Sequence, residues 1–257
     1  MTSSLVELAE WIVNADSVAV LTGAGISTPS GIPDFRTPGT GMWANVDPMA
    51  VAHVDVLQNE PETFWAFYAE RFASLEGIRP NRAHQILVEL ESRGHVEGVI
   101  TQNVDRLHAA AGTQELIELH GSIETSYCVD CRAPSGLGEV RQLAAMSVDG
   151  VPRCFCGSMI RPGVVLFGEM LPEEPMLKAS GLAVGADLII CIGSSLEVQP
   201  AAGLPKLTKA TRGRIAILTQ GDTPLDGDAD FRSSGDVVSE LEALLAEVDR
   251  LAPVSAA

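Results

Sequence analysis

Four of the five cysteines occur in two tight pairs, and this spacing predicts a metal site. The pairs are Cys128 with Cys131 and Cys154 with Cys156, and 22 residues lie between them. Zn²⁺ prefers four soft ligands at the corners of a tetrahedron, with Zn–S distances of about 2.3 Å, and each pair can supply one edge. Because four thiolates leave no position for water, we predict a structural zinc site. Four free thiols, or a redox pair in the Cys-x-x-Cys motif, are the alternatives.

A glycine turn follows the first apolar run of the chain. Residues 17–22 are typical of a buried strand, and they lead directly into Gly23-Ala24-Gly25. Small residues let the backbone approach a pyrophosphate, and the start of a helix offers N–H donors to it. The turn therefore predicts a dinucleotide-binding unit, although many α/β turns have a similar composition.

Tyr68 and Arg71 have the chemistry and the spacing to bind a carboxylate together. Residues at i and i+3 share one face of a helix. A tyrosine hydroxyl and the guanidinium fork of an arginine can both donate hydrogen bonds to a terminal carboxylate. The alternative is an amphipathic helix with a buried tyrosine and an exposed arginine.

These side chains need a scaffold, and apolar strands alternate with helical patterns along most of the chain. The strand candidates are residues 17–22, 98–101, 116–119, 187–193 and 214–219. The helical patterns are residues 5–13, 83–92, 104–110, 174–183, 201–210 and 236–251. This alternation predicts an α/β fold with a mostly parallel sheet that is covered on both faces.

Two stretches without that alternation predict a smaller second domain. Residues 37–80 form a helical insertion, and residues 127–159 form a module that contains the cysteine pairs. The large dinucleotide-binding domain is then made of the three remaining segments, which are residues 1–36, 81–126 and 160–257.

The composition excludes several classes of protein. A formal net charge of −17 argues against direct binding to nucleic acid, which requires a basic face. No apolar run approaches the roughly 18 residues of a membrane-spanning helix. The first residues carry Glu7 and Glu10 and no basic residue, which is unlike a secretory signal. We therefore expect a cytoplasmic protein with no membrane partner.

Several motifs in a fixed order resemble the sirtuin family of NAD-dependent protein-lysine deacylases, its bacterial members in particular. The motifs are Gln102-Asn103-Val104-Asp105, Leu119-His120-Gly121, Phe167-Gly168-Glu169 and Gly193-Ser194-Ser195. The resemblance covers nearly the whole chain. It implies a Rossmann-like parallel-sheet domain with a smaller zinc-binding and helical domain, and acyl-lysine proteins and NAD would meet in the cleft between them.

The resemblance also implies acyl transfer from lysine to ADP-ribose, which yields nicotinamide and O-acyl-ADP-ribose. His120 matches the catalytic base of the family and Asn103 a second catalytic residue. Capping of a strand end is the alternative role for His120, and capping of the following helix is the alternative for Asn103 and Asp105. Thr219 stands where the family usually has Asn, so it keeps a hydroxyl and loses an amide. The residues that match the NAD-binding positions are Gly23, Ala24, Gly25, Asp34, Phe35, Arg36, Gln102, Asn103, Asp105, Gly193, Ser194, Ser195, Thr219 and Ser234.

The substrate positions implied by the resemblance lie in two segments that would pair with the main chain of a peptide. They are Val165, Phe167, Gly168 and Val198, with Tyr68 and Arg71 at the acyl group. The Tyr-x-x-Arg pattern matches family members that remove succinyl and malonyl groups, whereas Asp34 and residues 37–41 match the deacetylating branch. We therefore expect deacetylation together with acidic-acyl removal. A mono-ADP-ribosyltransferase or NAD hydrolase, and a non-catalytic NAD-binding module, are the alternatives.

Overall fold

The computed structural model describes residues 4–35, 37, 39, 41–42 and 46–253, and the strands in this part of the chain form two sheets. The strands are β1 (Val18–Thr22), β2 (Gly98–Thr101), β3 (Leu116–Glu118), β4 (Gly121–Cys128), β5 (Pro134–Gly136), β6 (Ile160–Val164), β7 (Leu188–Ile192), β8 (Arg214–Leu218) and β9 (Phe231–Ser233). The large sheet has the order β3-β2-β1-β7-β8-β9 and is entirely parallel, whereas β5-β4-β6 is antiparallel.

The order in which strands are added to the large sheet reverses between β1 and β7. It first adds β2 and β3 on one side of β1 and then returns to add β7, β8 and β9 on the other side. In open α/β sheets, a crevice forms at the carboxyl ends of the strands where the order reverses. The topology therefore places a ligand crevice beyond Thr22 and Ile192.

Helices cover both faces of this sheet, as the alternating pattern predicts. The helices of the described residues are α1 (Leu5–Asn14), α2 (Pro48–Val51), α3 (Val54–Asn59), α4 (Pro61–Ser74), α5 (Arg82–Ser92), α6 (Leu107–Ala111), α7 (Leu137–Met146), α8 (Glu173–Gly185), α9 (Leu204–Ala210) and α10 (Val237–Leu251). Helices α1, α5 and α10 pack with Val20 and Ile190 on one face, and α8 and α9 pack with Leu21 and Ile189 on the other. Every residue of β1 and β7 is buried, because both faces of these strands are covered.

A third hydrophobic core lies beside the antiparallel sheet. Phe64, Trp65 and Phe72 on α4 are fully buried in it, and Val140 on α7 and Ile160 on β6 pack against the same cluster. Burial of each large apolar side chain contributes about 1.5–3 kcal/mol. Both predicted insertions therefore contribute to one core, and the boundary expected at residue 127 falls within β4.

Three of the differences between the predicted and the observed elements have identifiable reasons. The helix expected after the glycine turn is a seven-residue 3-10 helix, Ala24–Ser30. It contains Pro29, which has no backbone N–H to donate the hydrogen bond that a longer helix would require. The helix expected from residue 104 begins at Leu107, because Arg106 has a left-handed backbone with a φ of 71°. Strand β9 was not predicted, since a three-residue element carries too little pattern.

Within the described residues, no helix has both the length and the apolar character that crossing a membrane requires.

Candidate active site

A cavity of about 760 Å³ occupies the crevice at the carboxyl ends of the large sheet and extends to α4. Most of the predicted site residues line it, and they are Gly23, Ala24, Gly25, Asp34, Phe35, Tyr68, Arg71, Gln102, Asn103, His120, Val165, Phe167, Gly168, Gly193, Ser194, Ser195, Val198 and Thr219. Asp105 and Ser234 are not part of its wall, although the neighbouring Gly235, Asp236 and Val237 are. Arg36 lies outside the described residues.

Two loops cross at the floor of this cavity with their backbones in contact. The N–H of Gly25 donates a hydrogen bond of 2.8 Å to the carbonyl of Gly193, and Gly193 has a φ of +61°. A Cβ atom on Gly25 would lie 2.8 Å from the Cα of Gly193, and one on Gly193 would lie 2.3 Å from the backbone nitrogen of Ile26. Glycine is therefore required on both loops, and their backbones form this part of the wall.

Gln102 connects the ends of two strands that are not neighbours in the sheet. Its backbone N–H donates to the carbonyl of Thr22 at 3.0 Å, and its side-chain amide donates to the Ser194 hydroxyl at 2.8 Å. The same hydroxyl oxygen accepts a bond of 3.2 Å from the N–H of Leu196. Since the Ser194 oxygen accepts twice, its own hydrogen is left to donate into the cavity.

Ser27 is a buried polar residue behind the cavity wall to which the sequence analysis assigned no role. Its buried hydroxyl donates to the Asp105 carboxylate at 2.7 Å and accepts from the Asn103 amide at 3.2 Å. That amide also donates to the carbonyl of Gly23 at 3.1 Å. The NH₂ group of Asn103 is thus fully engaged, which leaves its side-chain oxygen as the atom for a ligand. A buried hydroxyl between two polar motif residues is the signal that identifies Ser27.

Asp105 makes structural hydrogen bonds within the buried network behind the cavity. In addition to the bond from Ser27, its carboxylate accepts a bond of 2.9 Å from the N–H of Leu107, the first residue of α6. This is the helix-capping alternative considered for Asp105. Its expected contact with a ligand remains a prediction.

His120 lies between β3 and β4, and hydrogen bonding defines its tautomer. Its Nδ1 is 2.8 Å from the carbonyl oxygen of Gln102, which can only accept, so Nδ1 carries the hydrogen. Nε2 is then the basic nitrogen of a ring that lines the cavity. Burial lowers the pKa of His120, with partial compensation from the bond to Gln102. The ring is therefore neutral at pH 7 and able to accept a proton.

A pair of histidines, His84 and His108, is buried behind the cavity. Their ring centres are 4.8 Å apart, and Nε2 of His108 lies 2.9 Å from the Thr22 hydroxyl, which donates to the Thr101 hydroxyl at 2.8 Å. Both nitrogens of His84 lack a hydrogen-bonding partner among the described residues. Burial lowers the pKa of His84 to about 4, although the charge of Asp105 opposes this shift. Burial also lowers the pKa of His108 to about 3, and the neighbouring His84 makes a smaller contribution in the same direction.

We expect this pair to make the protein less stable in acid. Both rings are neutral in the folded state and bind a proton in the unfolded state, so the free energy of unfolding should fall as the pH decreases from 6.5 towards about 4. Each extra proton on the unfolded chain corresponds to about 1.4 kcal/mol per pH unit. His84→Leu should reduce this slope by the contribution of about one proton. It should change the free energy of unfolding at pH 7 little, because it removes buried nitrogens that have no hydrogen-bonding partner. Urea unfolding at several pH values tests this, and an unchanged slope would contradict it.

Tyr68 and Arg71 both face the cavity from α4. Tyr68 is buried, and its ring stacks on Phe64 with a centroid distance of 4.3 Å. The Arg71 guanidinium lies 5.9 Å from the ring centre of Phe35, and no described residue forms an ion pair or hydrogen bond with that guanidinium. Burial raises the pKa of Tyr68 and lowers that of Arg71, with Asp105 opposing the second shift. A half-buried cation without a hydrogen-bonded counter-ion favours an anionic ligand.

Residues 164–168 form a short extended edge of the cavity next to His120. The N–H of Val165 donates to the carbonyl of His120 at 2.9 Å, and the N–H of Phe167 donates to the carbonyl of Ala52 at 3.1 Å. The carbonyl of Phe167 accepts from the N–H of Val54 at 3.0 Å. The segment is therefore tied to the turn at His120 on one side and to the helical insertion on the other.

The four paired cysteines converge, as their spacing predicts. All four Sγ atoms lie within 4.8 Å of one another, with 3.5 Å between Cys128 and Cys156 and 3.6 Å between Cys131 and Cys154. A tetrahedron with Zn–S distances of about 2.3 Å has edges of about 3.8 Å, so the donor set fits Zn²⁺. Cys191 is buried on β7 and takes no part.

The fold and the site define a class of protein. It is an α/β protein with a dinucleotide-type crevice, a neutral histidine in that crevice, and a separate four-cysteine centre beside the third hydrophobic core. The chain belongs to the Sir2 family, whose model matches residues 23–200.

Named relatives and solved structures agree with this family. The chain is 42% identical to an NAD-dependent protein deacetylase 1 of Geobacillus kaustophilus, over 94% of this chain and 99% of that protein. A solved Sir2 complex with a p53 peptide and NAD⁺ has a TM-score of 0.87 and 40% identity, with 95% of this chain and 98% of that chain covered. A Sir2Tm complex with a propionylated peptide has the same TM-score and coverage and 39% identity.

Proposed function

We propose that the protein is an NAD-dependent protein deacetylase that transfers the acyl group of a lysine to ADP-ribose. The observation that carries this proposal is the geometry of His120. Its Nδ1 hydrogen is held by the carbonyl of Gln102, so its basic Nε2 belongs to the wall of the same cavity as the glycine crossing and Asn103. The similarity to named deacetylases and to Sir2–peptide complexes supports it further.

The residues at the floor of the cavity fit NAD. NAD supplies the nicotinamide-ribose carbon that accepts the acyl oxygen. The crossing of Gly25 and Gly193 lets a pyrophosphate approach the backbone, and the Ser194 hydrogen is free to donate to it. The Asn103 side-chain oxygen would accept from a ribose hydroxyl, because its NH₂ group is occupied by Ser27 and Gly23.

His120 acts as the general base after the cofactor is seated. Nε2 would take the proton of a ribose hydroxyl of bound NAD, and the bond from Nδ1 to Gln102 would stabilise the imidazolium that forms. Its lowered pKa keeps the ring in the basic form at neutral pH. A substrate peptide pairs with the edge of the cavity at Val165 and Gly168 on one side and Val198 on the other.

The cysteine centre holds a structural zinc that is separate from the chemistry. Its four ligands are all protein thiolates, so no coordination position remains for water or substrate. The zinc crosslinks the end of β4 to the turn at residues 154–156, and with the helical insertion this module forms the small domain of a two-domain protein.

The finer proposal is that the protein also removes acidic acyl groups. Arg71 is half-buried in the cavity wall without a hydrogen-bonded counter-ion among the described residues, and Tyr68 lies one turn away on the same face of α4. A succinyl or malonyl carboxylate would occupy this position and accept bonds from both side chains.

Arg71→Met should separate the two acyl activities. A charge-assisted hydrogen bond contributes about 1.5–3 kcal/mol, so kcat/KM for succinyl-lysine should fall by roughly one to two orders of magnitude. Acetyl-lysine has no carboxylate for Arg71, so its kcat/KM should change far less. Both substrates are measured on one preparation, which cancels any loss of folded protein, and Tyr68→Phe should give a smaller loss in the same direction. An equal fall on both substrates would show that Arg71 is structural.

The proposed function is tested by incubating the protein with NAD and a panel of acyl-lysine peptides. We expect deacylated peptide, nicotinamide and O-acyl-ADP-ribose in equal amounts by mass spectrometry. Free ADP-ribose without deacylation would instead indicate an NAD hydrolase, and a peptide that gains ADP-ribose would indicate a mono-ADP-ribosyltransferase. Either result would overturn the proposal.

A further inference from the structure

A charged pair, Arg161 on β6 and Glu169 after it, has no assigned role in the proposed reaction. The two side chains form a two-pronged ion pair with N–O distances of 2.6 and 2.8 Å. They are only 13% and 22% exposed, so solvent screens their attraction less than at an open surface. The interaction raises the pKa of Arg161 and lowers that of Glu169 despite the opposing burial.

Both partners also hold the backbone of the chain between them. Arg161 donates to the carbonyl of Val164 at 3.0 Å, and the Glu169 carboxylate accepts from the N–H of Leu166 at 2.9 Å. The N–H of Glu169 donates to the carbonyl of Leu166 at 3.1 Å. The ion pair therefore closes a small ring that contains residues 161–169, and its hydrogen bonds fix the orientation of two peptide groups inside the ring.

The backbone groups that this ring leaves open face the site. The carbonyl of Val165 and the N–H of Gly168 have no hydrogen-bonding partner among the residues that the structure describes, and both residues line the cavity. The neighbouring Val164, Leu166 and Phe167 have backbone groups that are bonded within the protein. A segment that is held by such bonds and still offers open backbone groups can pair with the main chain of a peptide.

We propose that Arg161 and Glu169 are positioning residues for the substrate: their ion pair holds residues 164–168 in the geometry that pairs with the main chain of an acyl-lysine peptide. This inference rests on the proposed function and adds the residues that set its peptide affinity. Arg161 acts through Glu169 and the Val164 carbonyl, since it does not line the cavity itself.

The test compares Glu169→Gln with a matched control at another ion pair. Glutamine keeps the size of the side chain and an acceptor for Leu166 but removes the charge that binds Arg161. Asp149→Asn is the control, because Asp149 forms the same two-pronged pair with Arg153, at 2.9 and 2.5 Å, and accepts from the N–H of Val151 at 3.1 Å. Neither residue of the control pair lines the cavity.

The substrates are an eleven-residue acetyl-lysine peptide and a single acetyl-lysine with blocked ends. Glu169→Gln should raise KM for the long peptide about tenfold, which corresponds to about 1.4 kcal/mol. KM for the single residue, which has almost no main chain to pair, and KM for NAD should stay within twofold. Asp149→Asn should change none of these values. Arg161→Lys, which keeps the charge without the fork, should give an intermediate rise and serves as the second variant if Glu169→Gln does not fold.

Three results would overturn the inference: an unchanged KM for the long peptide, an equal loss on both substrates, or an equal loss in Asp149→Asn. Peptide affinity is also measured by calorimetry without turnover. A wild-type protein that binds the acetyl peptide but does not deacylate it refutes the proposed function, and the affinities of the variants then still decide the inference. A wild-type protein that does not bind the peptide refutes both.

Discussion

His120→Ala should reduce kcat for deacylation by a factor of about 10² to 10⁴ while the Kd for NAD changes by less than about threefold. The size of the loss is that of a general base, which His120 becomes because the Gln102 carbonyl directs its free lone pair to the cavity. The binding of NAD should persist, since the glycine crossing and the Asn103 oxygen do not depend on the imidazole. Single-turnover kinetics and calorimetry measure the two quantities separately.

Two controls make this result specific. His95→Ala removes a histidine that does not line the cavity, and it should leave kcat within twofold. Nicotinamide exchange in His120→Ala should fall less than deacylation, because the first displacement does not need the proton transfer to His120. Near-native turnover of His120→Ala would contradict the assignment of the base.

Cys128→Ser should remove the zinc and lower both stability and activity. Cys128 is fully buried at the end of β4, and its sulfur is the one that joins this strand to Cys156. Metal binding in such sites contributes directly to folding, with apparent values of about 10–16 kcal/mol in small zinc domains, so a lost ligand should unfold the module. Because β4 begins directly after His120, we expect activity to fall at least tenfold.

Cys191→Ala is the matched control for the zinc ligand. Cys191 is a buried thiol on β7 whose pKa is raised by desolvation, and it lies outside the cluster of four cysteines. This variant should retain one zinc per chain by metal analysis and most of its activity. Well under one zinc per chain in the wild-type protein, or full zinc content in Cys128→Ser, would contradict the assignment.

Local patterns were sufficient to predict five of the six strands of the large sheet and the metal site. Strands β1, β2 and β7 are buried along their whole length, because a strand between two helical layers has no solvent face to mark with polar residues. The metal site could be predicted from the cysteine pairs because each pair lies on one short turn, where a spacing of two or three residues limits the distance between the sulfurs. The glycine turn could be predicted for a similar reason, because few residue types let another group approach the backbone closely.

The partner of that glycine turn depends on the tertiary structure. Gly23 and Gly25 meet Gly193 only because β1 and β7 are neighbours, although about 170 residues separate them in the chain. The same holds for the buried bridge from Asn103 through Ser27, which joins the ends of two strands. Residue types can suggest such contacts, but the order and register of the strands decide them.

The charges of the site show the same division. The sequence by itself identified Tyr68 and Arg71 as a possible carboxylate site from their helical spacing, with an exposed arginine as the alternative. Only the packing of α4 against the cavity left Arg71 half-buried without a hydrogen-bonded counter-ion among the described residues, and only the course of the chain after β6 paired Arg161 with Glu169. Spacing within one element determines which side chains share a face, whereas burial and ion pairing depend on the elements that pack against it.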